Sequence, residues 1–388
     1  MTATAPRPAP LAPASGPPPA AAAPPGRLAW LDNVRVWLTA LVLAHHAALT
    51  YSDLPIWPYW EQPTDGSSAG LLALVATNQM WFMGLFFLIS GFFVPGGVDR
   101  HGVAGFVRGR LMRLGVPFLL FLVVLSPIYR YPGWLAHGRP QGQGLLTYLV
   151  TNFDPGPLWF VAVLLIFSLA YAAVRAVRGG RAAEARPGRT PGVLVVLGLG
   201  VALGLASWVW RIWTPEGTYW AAVGLPSPAY LPQYGACFVL GVLAARRQWL
   251  QTLRVRTAWA ALPVLLVSLV ASLGTGIVLG AATTGGGTPE SLVTAVAGSL
   301  FAASAMVVGL VVFRTLLDRS GPAWRFLSAQ AFAVFVIHAP VLVWLGVALG
   351  GFTAPAVVKA LVLLVAGVVA CWSLAWALRR IPGATRVF

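Results

Sequence analysis

Trp30–Tyr51, WLDNVRVWLTALVLAHHAALTY, is the stretch on which the fold class turns. It opens with two opposite charges, Asp32 and Arg35, becomes apolar, and then sets adjacent histidines, His45 and His46, inside the hydrophobic run. A bilayer crossing takes about 20 mostly apolar residues, which this stretch supplies. Arg35 and His46 are eleven positions apart. At about 100° per residue they return to nearly the same helix face, roughly 16 Å apart along the axis. Ionisable groups inside a membrane helix are costly to keep there, so the pair marks a functional site. The plainer reading of His46 is a core histidine bonded to a neighbouring helix, and Arg35 on the same face weighs against it. His45 points about 100° from His46 and reads as a supporting or packing residue. Asp32 is placed to pair with Arg35 and to suit the positive start of the helix.

The rest of the chain repeats the pattern. Of its 388 residues 58% are hydrophobic and only 9% charged, with a mean hydropathy of +0.78, whereas soluble domains carry about 25% charged residues. Apolar runs at about 30–51, 69–94, 114–128, 158–175, 192–213, 230–245, 257–282, 290–313, 326–349 and 355–378 predict an all-α integral membrane protein of about ten transmembrane helices. The net charge of +16 is spread through short loops between these runs and forms no basic patch interleaved with aromatics, which argues against nucleic acid as a partner. Loops on one side of the bilayer hold most arginines, while the other side holds only Arg130, Arg139 and Arg211 together with Asp53, Glu61, Asp65, Asp154, Glu216 and Glu290. Under the positive-inside rule both termini are then expected in the cytoplasm. Residues 1–27, rich in Ala and Pro, read as a disordered tail, and 28–388 as one polytopic membrane domain.

Between the spans, SDLPIWPYWEQPTDGSS is an acidic, aromatic loop, DRHGVAGFVRGRLMR a basic connector, and 129–157 an external loop with a short interfacial helix in LLTYLV. Asn78 and Gln79 are polar in mid-span and are expected to face the interior. Trp159 is either a belt residue or a cavity wall, and His338 either lines a pocket or packs. Ser90 and Gly91 suit close helix packing, with no base beside Ser90. Cys237 and Cys371 lie in apolar runs and read as small core residues. No HExxH or Cys/His cluster is present, so no metal site is expected, and adjacent histidines diverge on a helix.

Arg35, ten intervening residues and His46 resemble the arginine–x10–histidine signature of the acyltransferase-3 family of membrane O-acyltransferases. LDNVRVWLTALVLAHHAALTY is most similar to its branch of glucan succinyltransferases. MGLFFLISGFFVP, FVRGRLMRLGVPFLL, PLWFVAVLLIF and FAVFVIHAPVLV resemble further family segments in the same order. The resemblance implies His46 as catalytic base, or as a transient carrier of the acyl group, with Arg35 as its companion. It maps an arginine–x–x–arginine element onto Arg110 and Arg113, which with Arg108 would hold the phosphates of an acyl-CoA donor, acetyl-CoA or succinyl-CoA. The other reading of these arginines is topology alone. Further implications are a glycan or polyol acceptor, lining roles for Asp32, His45, Asn78, Gln79, Trp159 and His338, and a place in a bacterial cytoplasmic membrane. The competing reading is a transporter or flippase with His46 and Arg35 as a proton or anion relay.

Overall fold

A computed structural model describes residues 28–179 and 186–387. The tail 1–27 and Arg181 lie outside the described residues. The helices are α1 (Ala29–Tyr51), α2 (Ser68–Gln79), α3 (Phe82–Arg110), α4 (Val116–Leu120), α5 (Ser126–Gly133), α6 (Leu145–Thr151), α7 (Trp159–Val177), α8 (Val193–Trp210), α9 (Leu231–Arg247), α10 (Trp249–Thr252), α11 (Val255–Leu279), α12 (Pro289–Leu316), α13 (Pro322–Ala348) and α14 (Ala356–Leu378). Among the described residues the only strands are two of two residues each. Lipid offers no partner to backbone N–H and C=O groups, so a spanning chain this apolar bonds them within helices. The protein is an all-α membrane protein.

Among the described residues, eight helical runs are long and apolar enough to cross a membrane. One of them, Ser68–Gln141, is 74 residues long and contains two of the expected spans. It breaks at Met80–Trp81 and turns at Gly102, whose φ of 65° is open to glycine at little cost. The basic connector is therefore helical, not a loop. Beyond the turn, Gly115 lies against Leu165 and Gly156 against Phe121, so this arm runs antiparallel to α7. By contrast α3 runs parallel to α7, with Phe87 on Phe160 and Asp99 bonded to Arg175. Segment 129–157 also departs from the expected loop. The helical run continues to Gln141 through π-turns at Trp134–Gly138 and earlier, next to prolines that lack an N–H. The short helix expected in LLTYLV is present as α6, tied down by Arg130 donating to the Tyr148 and Leu149 carbonyls.

α1 is absent from the eight because its polar residues lower its hydropathy, yet it sits at the centre. Its start is fastened to the α12–α13 turn: Trp30 N–H donates to Asp318, and Asn33 Nδ2 to the Leu317 and Arg319 carbonyls. Trp372 Nε1 donates to the Leu327 carbonyl near the start of α13, so α1 begins and α14 ends at the same end of the bundle. At that end Asp99 pairs with Arg175 at 3.1 Å and Arg246 at 2.5 Å. α3 and α9 approach closely: a Cβ at Gly91 would run into the Phe238 carbonyl, and one at Gly241 into that of Leu88. Cys237 and Cys371 are buried and unpaired.

Candidate active site

Four elements bring the aromatic and imidazole groups together around His46. From α1 the Val42 carbonyl lies 2.9 Å from His46 Nδ1. A carbonyl oxygen only accepts, so Nδ1 carries the proton of the neutral ring and Nε2 keeps a bare lone pair. From α13 comes His338, its ring centroid 5.0 Å from that of His46. His338 Nδ1 donates in the same way to the Phe335 carbonyl at 2.6 Å. Its Nε2 is buried without a partner. From the loop after α1 comes Trp57, 4.2 Å from His46 and tilted by 37°. Trp57 in turn meets the ring of Tyr129 edge-on at 5.3 Å.

A cavity of about 50 Å³ opens beside these rings, lined by Val42, His45, His46, Gln79, Phe82, Met83, Pro157, Trp159 and Phe335. It lies where α2 breaks from α3 and where α7 begins. A water needs roughly 10–15 Å³ of such space, so the cavity admits solvent or the tip of a substrate. His46 is half-buried, whereas His45 and His338 are buried. A larger groove of about 580 Å³ between α11 and α12 is lined by apolar side chains and Ser268, with no titratable group and none of the residues around His46.

The expected site residues divide into two groups. His46, His45, Gln79 and Trp159 line one cavity, and His338 touches the His46 ring. His45 stacks on Phe82 at 5.3 Å and also lines that cavity. Asn78 is buried but lies off the lining, and its Nδ2 has no partner. The second group gathers nearer the start of α1. Arg35 pairs with Asp32 at 3.1 Å and lies over the Phe93 ring. Arg110, over the Phe106 ring, lies within electrostatic reach of both Arg35 and Arg113. Arg108 and Arg113 are exposed. The cavity stops at Val42, and Arg35, two turns further down the same face, is not on it.

Trp57 is the residue that sequence reasoning missed. Its neighbour in the loop, Ile56, is 70% exposed, while Trp57 itself is 8% exposed. Glu61 pairs with Lys359, and Asp65 and Ser67 accept from the Ala356 and Val357 N–H groups, which folds the loop back onto the bundle. The loop's aromatic character and the flanking prolines Pro55 and Pro58, which stiffen the turn around Trp57, were the local signals.

Compared with known protein families, residues 28–376 match one described as an acyltransferase domain. No curated protein and no solved structure matches the chain.

Proposed function

Because the chain belongs to this acyltransferase family, we propose that it moves an acetyl or succinyl group from cytoplasmic acyl-CoA to a hydroxyl of a glycan or polyol presented on the far side of a bacterial cytoplasmic membrane. One observation carries the reading: His46 Nδ1 is held by the Val42 carbonyl, which leaves Nε2 as a bare lone pair beside a cavity inside the bundle. A neutral imidazole in that state is a general base at ordinary pH. The acceptor hydroxyl oxygen attacks the thioester carbonyl carbon, its proton passes to His46 Nε2, and the carbonyl electron pair moves to oxygen. Collapse breaks the C–S bond, and the departing sulfur takes the proton back from Nε2, giving an ester and a free thiol.

The cluster of Arg35, Arg110 and Arg113 supports the donor side. Arg110 lies within electrostatic reach of both Arg35 and Arg113, and such a group of like charges suits a polyanion, since guanidinium forks bind phosphate oxygens bidentately. The arginine-rich end then faces the cytoplasm, as the positive-inside rule requires. Arg35 and His46 are roughly 16 Å apart along α1, and because the cavity stops at Val42 the donor's pantetheine arm has to open the stretch between them as it enters. Purified protein with acetyl-CoA provides the test, read as release of free thiol. His46→Ala is expected to lose about 10²- to 10⁴-fold in rate, as general bases do, with acetyl-CoA binding retained. Wild-type thiol release in His46→Ala would remove the proposed base. Arg110→Ala is expected to raise the acetyl-CoA KM about tenfold with little change in kcat, the pattern of a lost binding contact.

A further inference from the structure

The two adjacent histidines of α1 meet the same space with different atoms. Neighbours on a helix point about 100° apart, yet His45 and His46 both line the cavity. Their ring centroids are 5.4 Å apart and the ring planes nearly perpendicular, at 78°. His46 donates from Nδ1 to the Val42 carbonyl and keeps Nε2 as an acceptor. His45 has no such carbonyl. It is 7% exposed, and its Nδ1 is sealed from solvent without a partner, so the ring edge that meets the cavity is the one carrying Nε2. A sealed N–H with no acceptor is among the rarest features of a folded interior, and a sealed lone pair is tolerated better. The proton of the neutral His45 ring therefore sits on Nε2, where the cavity can bring it an acceptor. One imidazole presents a lone pair to the cavity and the other an N–H.

Acyl transfer uses both. As the hydroxyl oxygen attacks, its proton leaves and negative charge grows on the thioester oxygen, so a base and a fixed donor have to reach one carbon centre from two sides. A donor already aimed at that oxygen is usually the largest single contribution to such a reaction. We propose that His45 is a second catalytic residue: its Nε2–H donates to the thioester carbonyl oxygen and holds the oxyanion, while His46 takes the hydroxyl proton. His45 keeps its own proton throughout. The oxyanion electron pair returns to carbon as the C–S bond breaks, and sulfur recovers the proton from His46. Phe82, stacked on His45 at 5.3 Å and 27°, fixes the ring plane before any charge forms. The other side-chain N–H groups on the cavity belong to Gln79 and Trp159, which come from α2 and α7; only His45 shares a helix turn with the base. This rests on the acyltransferase reading of His46 and supplies the charge-stabilising group that the reading leaves open.

Thiol release from acetyl-CoA, measured with the full chain in nanodiscs, tests it. His45→Phe keeps a ring against Phe82 and removes the Nε2–H. It is expected to lower kcat by about 10²- to 10³-fold, the usual effect of one lost oxyanion donor, with little change in the acetyl-CoA KM, the pattern of a contact made only in the transition state. His45→Gln returns an N–H and is expected to recover part of the lost rate. A packing role for His45 would not move the thioester carbonyl itself. In His46→Ala, which binds acetyl-CoA without turning it over, the infrared stretch of an isotope-labelled acetyl carbonyl is expected at lower frequency than in His46→Ala/His45→Phe, because a donated hydrogen bond weakens the C=O bond. Wild-type kcat in His45→Phe, or a carbonyl stretch indifferent to His45, overturns the proposal. The base is read separately. If His46→Ala stops thiol release while His45→Phe leaves it untouched, only the donor role of His45 is lost; if His46→Ala also releases thiol at the wild-type rate, the acyltransferase reading of His46 falls with it.

Discussion

α1 and α8 treat their residues in opposite ways. α1 buries 15 of its 23 residues, among them Asn33, Thr39 and His45. α8 buries only Gly200, Gly204 and Ser207, while Leu194, Val195 and Leu199 face outward. A helix that carries two charges and two histidines is at the centre, and one of the most apolar helices is at the rim. In water that order would be reversed. In lipid the tails are as apolar as leucine, so large apolar side chains gain little by turning inward, and small residues take the inner face because they let backbones approach. Polar groups gather inside because the bilayer offers them no partner. The site sits on α1, whose charged and imidazole side chains would find no partner in lipid and are instead packed against α2, α13 and α14.

The largest stability effect that would break this comparison is expected at the centre. Leu43 is fully buried on α1. Leu43→Ala is expected to cost about 2–5 kcal/mol, the usual range for a core truncation that leaves a cavity, read as a lower unfolding midpoint in detergent. A loss under about 0.5 kcal/mol would show that α1 is not packed as described. A smaller cost is expected where α3 meets α9. Gly241→Ala adds one methyl group against the Leu88 carbonyl, backbone that cannot turn aside, and overpacking of this kind costs about 1–3 kcal/mol. Full stability in Gly241→Ala would mean that the two helices separate at little cost.

The same contrast explains what was legible in the sequence. Hydropathy located the membrane runs other than α1, because each is a local property of about 20 residues. The 11-residue spacing of Arg35 and His46 placed both on one face of α1, and His338 stood out as a lone histidine in an apolar helix. The contact of Trp57 with His46 was not legible. It depends on Glu61 meeting Lys359 and Asp65 meeting Ala356, pairs 298 and 291 residues apart in sequence, and no local pattern encodes them. The reversal at Gly102 was hidden for a different reason. Gly- and Pro-rich sequence reads as loop in water, yet in and near the bilayer the helical state is favoured so strongly that prolines are absorbed as π-turns and a single glycine takes the whole bend.

The smallest expected effect is the most discriminating. Val267 lies on α11 and is 70% exposed, on the apolar groove between α11 and α12. In a soluble protein so large an apolar groove would signal a buried partner, and trimming its wall would weaken that contact. Here lipid tails are the neighbour in either case. Val267→Ala exchanges contact with a side chain for contact with an acyl chain, so its effect on the unfolding midpoint is expected to stay within about 0.5 kcal/mol, as for surface positions generally. Val267→Arg, by contrast, carries the cost of a charge in hydrocarbon, about 2.5–3.5 kcal/mol on insertion scales, and is expected to lower the yield of inserted protein. A tolerated arginine together with a costly alanine would mean that the groove is packed against protein in the membrane, and the outer helices would then follow the same rule as α1.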